Sequence, residues 1–231
     1  MISNSIHRGA GKIISTDPYY YSNVTLLLHM DGGSGTNFID DGPKNYEITS
    51  GGAAMTNFGI FGESCANTTQ GDGSIRLNTY DPVNFGTGDF TFECWFNSLG
   101  TNAARPIISS GPNGLLILFV YNSGVDKYVM YFGSYGVFQV QCTVDNVAPY
   151  AWYHLAVTRQ NNVWRLFING ILDTSVVNSS NLSGTYGLWI ANDPAGGYYQ
   201  FFGYIDELRI TKGFSRYNSN FTVPTQAFSP P

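Results

Sequence analysis

Along the whole chain, apolar side chains fall into short, strand-length runs set apart by clusters of Gly, Asn, Asp and Pro, and the three-and-four spacing of an amphipathic helix is hard to find. A chain punctuated this way folds as β structure, because each run is long enough to cross a sheet and each cluster supplies turn residues. Strands are expected near Val24 to Met30, Ser74 to Leu77, Phe90 to Asn97, Pro106 to Ser110, Leu115 to Tyr121 and Lys127 to Phe132. Others are expected near Val137 to Thr143, Trp152 to Arg159, Val163 to Ile168, Leu172 to Val177, Tyr186 to Ala191 and Tyr204 to Ile210. These suffice for two packed antiparallel sheets, and 231 residues suit one sandwich with a single core.

Period-two alternation assigns faces. In Phe90 to Asn97, the side chains of Phe90, Phe92, Cys94 and Phe96 share one side and are expected in the core, with Thr91, Glu93, Trp95 and Asn97 on the other. Between Val163 and Ile168, Trp164, Leu166 and Ile168 oppose Val163, Arg165 and Phe167. Asn169-Gly170 then signals a type I′ hairpin turn, and Asn161-Asn162 gives a weaker signal of the same kind. Three consecutive antiparallel strands follow from these two turns.

Composition narrows function. The chain is 43% hydrophobic and 12% charged, against about 25% charged in ordinary domains, so it can bury enough surface to fold. Its formal net charge is −5 and no basic run exceeds one residue, which argues against nucleic-acid binding. The longest apolar stretch, Leu115 to Tyr121, is far below the ~20 residues of a membrane-spanning helix. The opening MISNSIHRGAGK has no apolar segment behind its first charges and reads as a chain made in the cytoplasm. Three cysteines, Cys65, Cys94 and Cys142, are an odd number without paired spacing, and are expected as buried free thiols.

Two terminal segments differ from the sandwich. Residues 1–23 carry Arg8 and Lys12 against Asp17 alone, then the cluster Tyr19-Tyr20-Tyr21; they read as an extended N-terminal arm, with Arg8, Lys12, Tyr19 and Tyr20 as partner anchors, or as a frayed terminus. Residues 24–212 form the sandwich. Residues 213–231, rich in proline at their end, are expected to run extended over its surface.

LLLHMDG (Leu26 to Gly32), FTFECWF (Phe90 to Phe96), WYHLAVTR (Trp152 to Arg159), WRLFING (Trp164 to Gly170) and GYIDELRITKGFSRY (Gly203 to Tyr217), in that order, resemble a laminin-G-like, concanavalin A-like jelly roll over roughly Val24 to Pro224. Within it, Gly203 to Phe228 is similar to laminin-G-like domains of tailed-bacteriophage virion proteins, in which an Ile-Asp-Glu-Leu-Arg-Ile strand precedes an Arg-Tyr and a Phe-Thr-x-Pro tail. That resemblance implies a non-enzymatic structural protein on the particle surface, a capsid decoration or tail appendage. Its implied partners are other virion proteins and a host-surface glycan, and its implied assembly is a homo-oligomer, with a closed trimer common among such appendages. A free carbohydrate-binding lectin-like module is the second reading and a glycoside hydrolase the third.

Relatives of this fold include glucanases that need two carboxylates about 5 Å apart. The four Glu here, Glu47, Glu63, Glu93 and Glu207, lie in no such motif, and only Glu93 beside Trp95 keeps a hydrolase in view. His154 alternates with Trp152 and Ala156 and reads as a packed, hydrogen-bonded imidazole rather than a catalytic one. Many concanavalin A-like sandwiches hold one Ca²⁺ where the first and last strands meet, which makes Asp206 and Asp31 the candidate ligands. The alternative is that Asp206 caps loop amides from inside the sheet edge while Asp31 makes a turn. For carbohydrate, the candidates are Trp95, Trp164, Trp189, Tyr198 and Tyr199, each of which could instead be core or protein interface.

Overall fold

The computed structural model describes residues 20–100, 103–122, 127–135, 138–143, 147–198 and 200–228. Within them lie a four-residue helical turn, α1 (Tyr20–Asn23), and strands β1 (Val24–Leu28), β2 (Thr49–Ser50), β3 (Ala54–Thr56), β4 (Cys65–Asn67), β5 (Ile75–Leu77), β6 (Phe90–Ser98), β7 (Arg105–Ser109) and β8 (Leu115–Asn122). The series continues with β9 (Lys127–Ser134), β10 (Phe138–Thr143), β11 (Trp152–Gln160), β12 (Val163–Ile168), β13 (Ile171–Val177), β14 (Leu188–Ile190) and β15 (Gly203–Lys212). One antiparallel sheet of eight strands runs β13-β12-β11-β6-β15-β4-β3, with β1 also paired to β15, and one of seven runs β10-β9-β8-β7-β14-β5-β2. Every strand expected from the sequence is present. The three that were not expected, β2, β3 and β4, have two or three residues each, too few to show a period.

The two sheets close on one core, with Phe90, Phe92, Cys94 and Phe96 of β6 facing Ile117, Phe119 and Phe132 of the other sheet. Each large apolar side chain taken out of water here contributes ~1.5–3 kcal/mol. Both hairpin turns form as their residues dictate: Asn169 and Gly170 have φ 49° and 77°, and Asn161 and Asn162 have φ 50° and 65°. Arg159, fully buried at the end of β11, donates to the carbonyls of Gly86, Gly88 and Ser180, and burial lowers its pKa to about 10.

Alternation along β6 places its faces correctly, and the second face, that of Thr91, Glu93, Trp95 and Asn97, is buried too. Residues 213–228, which form no regular element, lie across Thr91 and Glu93 on the outer side of the eight-stranded sheet, while Phe61 packs on Trp95. Tyr217 stacks on Phe221 at 3.6 Å, and Phe221 packs on Phe167 and His154. A bulge in β15 shapes the surface beneath them. Asp206 pairs with Trp95 and Arg209 with Glu93, so two residues of β15 oppose Cys94 alone. The extra residue returns Leu208 and Ile210 to the core beside Ile205 and leaves Asp206 and Arg209 on the outer face with Glu93 and Trp95.

Candidate ligand-binding face

On the outer face of the seven-stranded sheet, strand register sets Thr49, Arg76, Trp189, Ser109, Leu116 and Gly133 in one row from β2 to β9. Trp189 is half-buried, and the Arg76 guanidinium lies 4.2 Å from its ring centre. Arg76 is held in that position by an ion pair with Asp72 and by its Nε donating to Ser74 Oγ at 2.7 Å. Asn192 Nδ2 donates to the Asp72 carbonyl at 2.6 Å, tying the loop after β14 to the same corner.

That loop is organised by Asp193, which is buried. Its Oδ1 accepts from Ser109 Oγ at 2.9 Å and from the Ala195 amide at 3.2 Å. Its Oδ2 accepts from the Gly197 amide at 2.8 Å and from the Tyr135 hydroxyl at 3.4 Å. Tyr135 in turn meets Tyr198 edge to face at 5.7 Å. Burial, with the charge of Asp193, raises the Tyr135 pKa, so this phenol stays protonated. One face thus gathers an indole, a guanidinium, a carboxylate, a carboxamide and two phenols. Planar polar groups beside an aromatic ring are what a polyhydroxylated ring needs for orientation and stacking.

The structure brings the predicted Trp189 and Tyr198 onto this same face. Tyr199 lies outside the described residues, as do Arg8, Lys12 and Tyr19; Tyr20 opens α1, and its side chain is likewise outside them. Trp95 is corrected: it is 8% exposed, with Phe61 edge-on to its ring at 5.7 Å and His154 at 5.3 Å, leaving no ring face for a sugar. Trp164 is core, with its Nε1 donating to the Asn178 carbonyl at 3.0 Å. No motif singles out Arg76, Asp72, Asp193 or Tyr135 along the chain. The only trace of the first two is the alternation Asp72-x-Ser74-x-Arg76, which is common on any polar strand edge.

Glu93 has a structural task. Fully buried, it accepts from Arg209 Nε at 2.8 Å and from the Tyr217 hydroxyl at 2.8 Å, with His154 Nε2 at 3.4 Å. Burial alone would raise its pKa, but Arg209, His154 and Arg216 outweigh it and hold the carboxyl well below the usual range. A general acid needs the opposite shift and access to substrate, so the Glu93 and Trp95 pair offers no catalytic site. His154 is packed between Trp95 and Phe221, as its alternation implied.

The candidate calcium ligands meet a similar test. Asp206 Oδ2 accepts from the Ile60 amide at 2.7 Å and Oδ1 from the Glu207 amide at 2.8 Å, so it caps backbone amides from inside the sheet. Burial pushes its carboxyl up to about 8, aided by the charges of Glu207 and Asp31. Asp31 is exposed at a depression of about 240 Å³ lined also by His29, Asn37, Ile39, Asp41 and Met55, and its Oδ1 accepts weakly from the Glu63 amide at 3.3 Å. Among the described residues no group of three or more His, Cys, Asp or Glu could hold a metal ion. A hard cation needs free carboxylate oxygens, and Asp206 has both of its own engaged, so this donor set does not fit calcium.

The family model Laminin_G_3, of the concanavalin A-like lectin/glucanases superfamily, matches residues 69–214. No curated protein matches the chain. Among solved structures, domain 4 of AbnA, a GH43 extracellular arabinanase from Geobacillus stearothermophilus in complex with arabinotriose, is 18% identical with a TM-score of 0.59, covering 83% of this chain and 93% of that one. Botulinum neurotoxin type C, whose route into cells depends upon interaction with two ganglioside molecules, is 15% identical with a TM-score of 0.59, covering 82% of this chain and 47% of that one. A Trypanosoma rangeli sialidase is 11% identical with a TM-score of 0.57, covering 90% of this chain and 32% of that one. At these identities the likenesses establish a shared fold.

Proposed function

The chain belongs to the concanavalin A-like lectin/glucanase superfamily, and from that premise we propose that it is a glycan-binding structural module of a bacteriophage particle, a capsid decoration or tail appendage that binds host-surface sugar without cleaving it. The observation that carries the binding reading is the outer face of the seven-stranded sheet, where Arg76, Asp72 and Asn192 surround Trp189 and where Tyr135 and Tyr198 lie beyond Ser109 and Asp193. The Arg76 and Asp72 pair matches adjacent hydroxyls, one accepting and one donating, and the indole takes the apolar face of the ring. The same fold carries arabinotriose on the arabinanase domain, which supports a saccharide as the ligand class.

Binding without hydrolysis is supported by where the carboxylates are used. Glu93 and Glu207 both hold the C-terminal segment, and Asp193 holds its own loop. The virion reading is supported by the resemblance of Gly203 to Phe228 to phage domains; in it, residues 1–23 would serve as an arm whose Arg8, Lys12, Tyr19 and Tyr20 anchor the sandwich to neighbouring subunits, in a trimer or on a capsid.

A glycan array probed with the intact chain and with Trp189→Ala tests the binding. The reading requires a hit that the variant loses while its melting temperature is kept; a chain that binds nothing, or binds as well without Trp189, contradicts it. Particle assembly with and without residues 1–21 tests the anchoring, which requires the truncated chain to fold and yet be missing from the particle.

A further inference from the structure

On the opposite side of the molecule, the C-terminal segment leaves one end of the eight-stranded sheet uncovered, and that end is aromatic. Register places Tyr204 and Trp152 on either side of Asn97 in one row. In the next row the Leu99 amide donates to the Phe202 carbonyl, which pairs Phe202 with Leu99, and Tyr150, in the turn before β11 with φ 66°, donates its amide to the Ser98 carbonyl at the same end of the sheet. Phe58 reaches over from the loop after β3, 5.8 Å from the Trp152 ring and 4.7 Å from the Tyr204 ring. Tyr150 is 71% exposed, Phe58 47% and Phe202 38%. Exposed large apolar side chains scattered singly call for no explanation, but five aromatics gathered at one end of a sheet form a patch that does.

A second observation states what the patch lacks. Asn97, in the middle of the first row, is 2% exposed, and its Oδ1 has no hydrogen-bond partner. A buried acceptor left unpaired costs ~1–3 kcal/mol, which a ligand bearing a hydroxyl donor would recover. Phe58 packs against the rings of both residues that flank Asn97, Trp152 and Tyr204. The five rings and Asn97 carry no charge, and Arg105, 5.8 Å from the Phe202 ring, stands at the margin.

We propose that this end of the eight-stranded sheet is a second saccharide site, specific for uncharged glycan, with Trp152, Tyr204, Tyr150 and Phe202 stacking on sugar rings and Asn97 Oδ1 accepting a sugar hydroxyl. The ligand class rests on the lectin-like reading above, while the location is independent of it.

Calorimetric titration decides the matter with four named probes: arabinotriose, cellotetraose, laminaritetraose and maltotetraose. The probes are titrated into the full chain, Trp189→Ala, Tyr150→Ala, Trp152→Ala and the two double variants that combine Trp189→Ala with each of the latter. At least one probe is expected to bind Trp189→Ala and to bind both double variants at least tenfold more weakly. Tyr150 is exposed enough that its truncation should leave folding intact, which guards against a misfolded Trp152 variant. No binding of any probe to Trp189→Ala, or binding undiminished by Tyr150→Ala and Trp152→Ala in that background, overturns the second site. Binding to the full chain lost with Trp189→Ala alone would leave the first face standing and remove this one; binding lost only with Trp152→Ala and Tyr150→Ala would do the reverse.

Discussion

Charge is scarce in this chain, and the charges that are buried act as fasteners. Replacing Glu93 with Gln would leave the Arg209 and Arg216 guanidinium groups facing a neutral amide in a buried site, and breaking a buried pair from one side costs ~3–5 kcal/mol. Urea unfolding of Glu93→Gln should show a loss of that size, whereas a surface change at Glu47 should be silent. The same groups set a pH dependence whose sign differs on its two sides. The Glu93 carboxyl is depressed in the fold, so its contribution is present above the unfolded value of about 4.5 and is lost as pH falls below it. The His29 pKa is raised: burial lowers it, but its hydrogen bond to Glu207 and the acidic neighbours Asp41 and Asp31 prevail. That contribution is full below pH 6.5 and fades as pH rises through the folded value. Asp206, raised to about 8, binds a proton in the fold that the unfolded chain has already released, which also lowers stability as pH rises toward 8. Melting temperature should therefore fall below about pH 4, and decline from there toward pH 8, more steeply above pH 6.5 where the loss at His29 adds to that at Asp206; Asp206→Asn should flatten the decline. A melting temperature that climbs to pH 8.5 would contradict these assignments.

Among elements, the hairpins show how closely local sequence and long-range packing agree. Gly170 takes φ 77°, and a Cβ there would come 2.1 Å from the Phe221 carbonyl, because the C-terminal segment crosses the turn and the Phe221 amide donates to Gly170. Gly196 has a similar φ of 70° with open space around it. Gly170→Ala should thus destabilise by ~1–3 kcal/mol and Gly196→Ala by less, as measured by thermal or urea unfolding; equal effects would mean that the crossing contact is unimportant. The turn residues and alternating strands could be read directly from the chain because both are local properties. The β15 bulge could not, since Ile205, Leu208 and Ile210 break the period of two and only the pairing with β6 shows why. The burial of Trp95 escaped for the same reason. Alternation assigns it a face, but what covers it is Phe61 from the loop between β3 and β4 and His154 from β11. Trp189 and Tyr198 could be named as aromatic candidates, while the Arg76, Asp72 and Asp193 scaffold that makes a site of them depends on contacts between β5, β7 and the loop after β14.

For the whole molecule, the division of labour between the sheets follows from what covers each. The eight-stranded sheet has half of its outer side sealed by residues 213–228, through Tyr217 on Glu93, the Phe228 amide on Glu207 and the Phe228 ring 3.9 Å from the Arg209 guanidinium. Ending the chain after Lys212 should expose those carboxylates and remove Arg216, the Tyr217 hydroxyl and the Phe228 amide that engage them, and the truncated protein is expected to lose its cooperative melt, while deletion of residues 1–21 leaves the melt nearly unchanged. The seven-stranded sheet instead turns a polar and aromatic face outward, and the account depends on sugar being recognised there. The most direct measurement follows the four tryptophan indole N–H resonances while the glycan found on the array is titrated into the intact chain. The Trp189 resonance should shift saturably, and those of the buried Trp95 and Trp164 should stay in place. A titration that moves the buried indoles, or leaves Trp189 unmoved while binding proceeds, would contradict the assignment of this face.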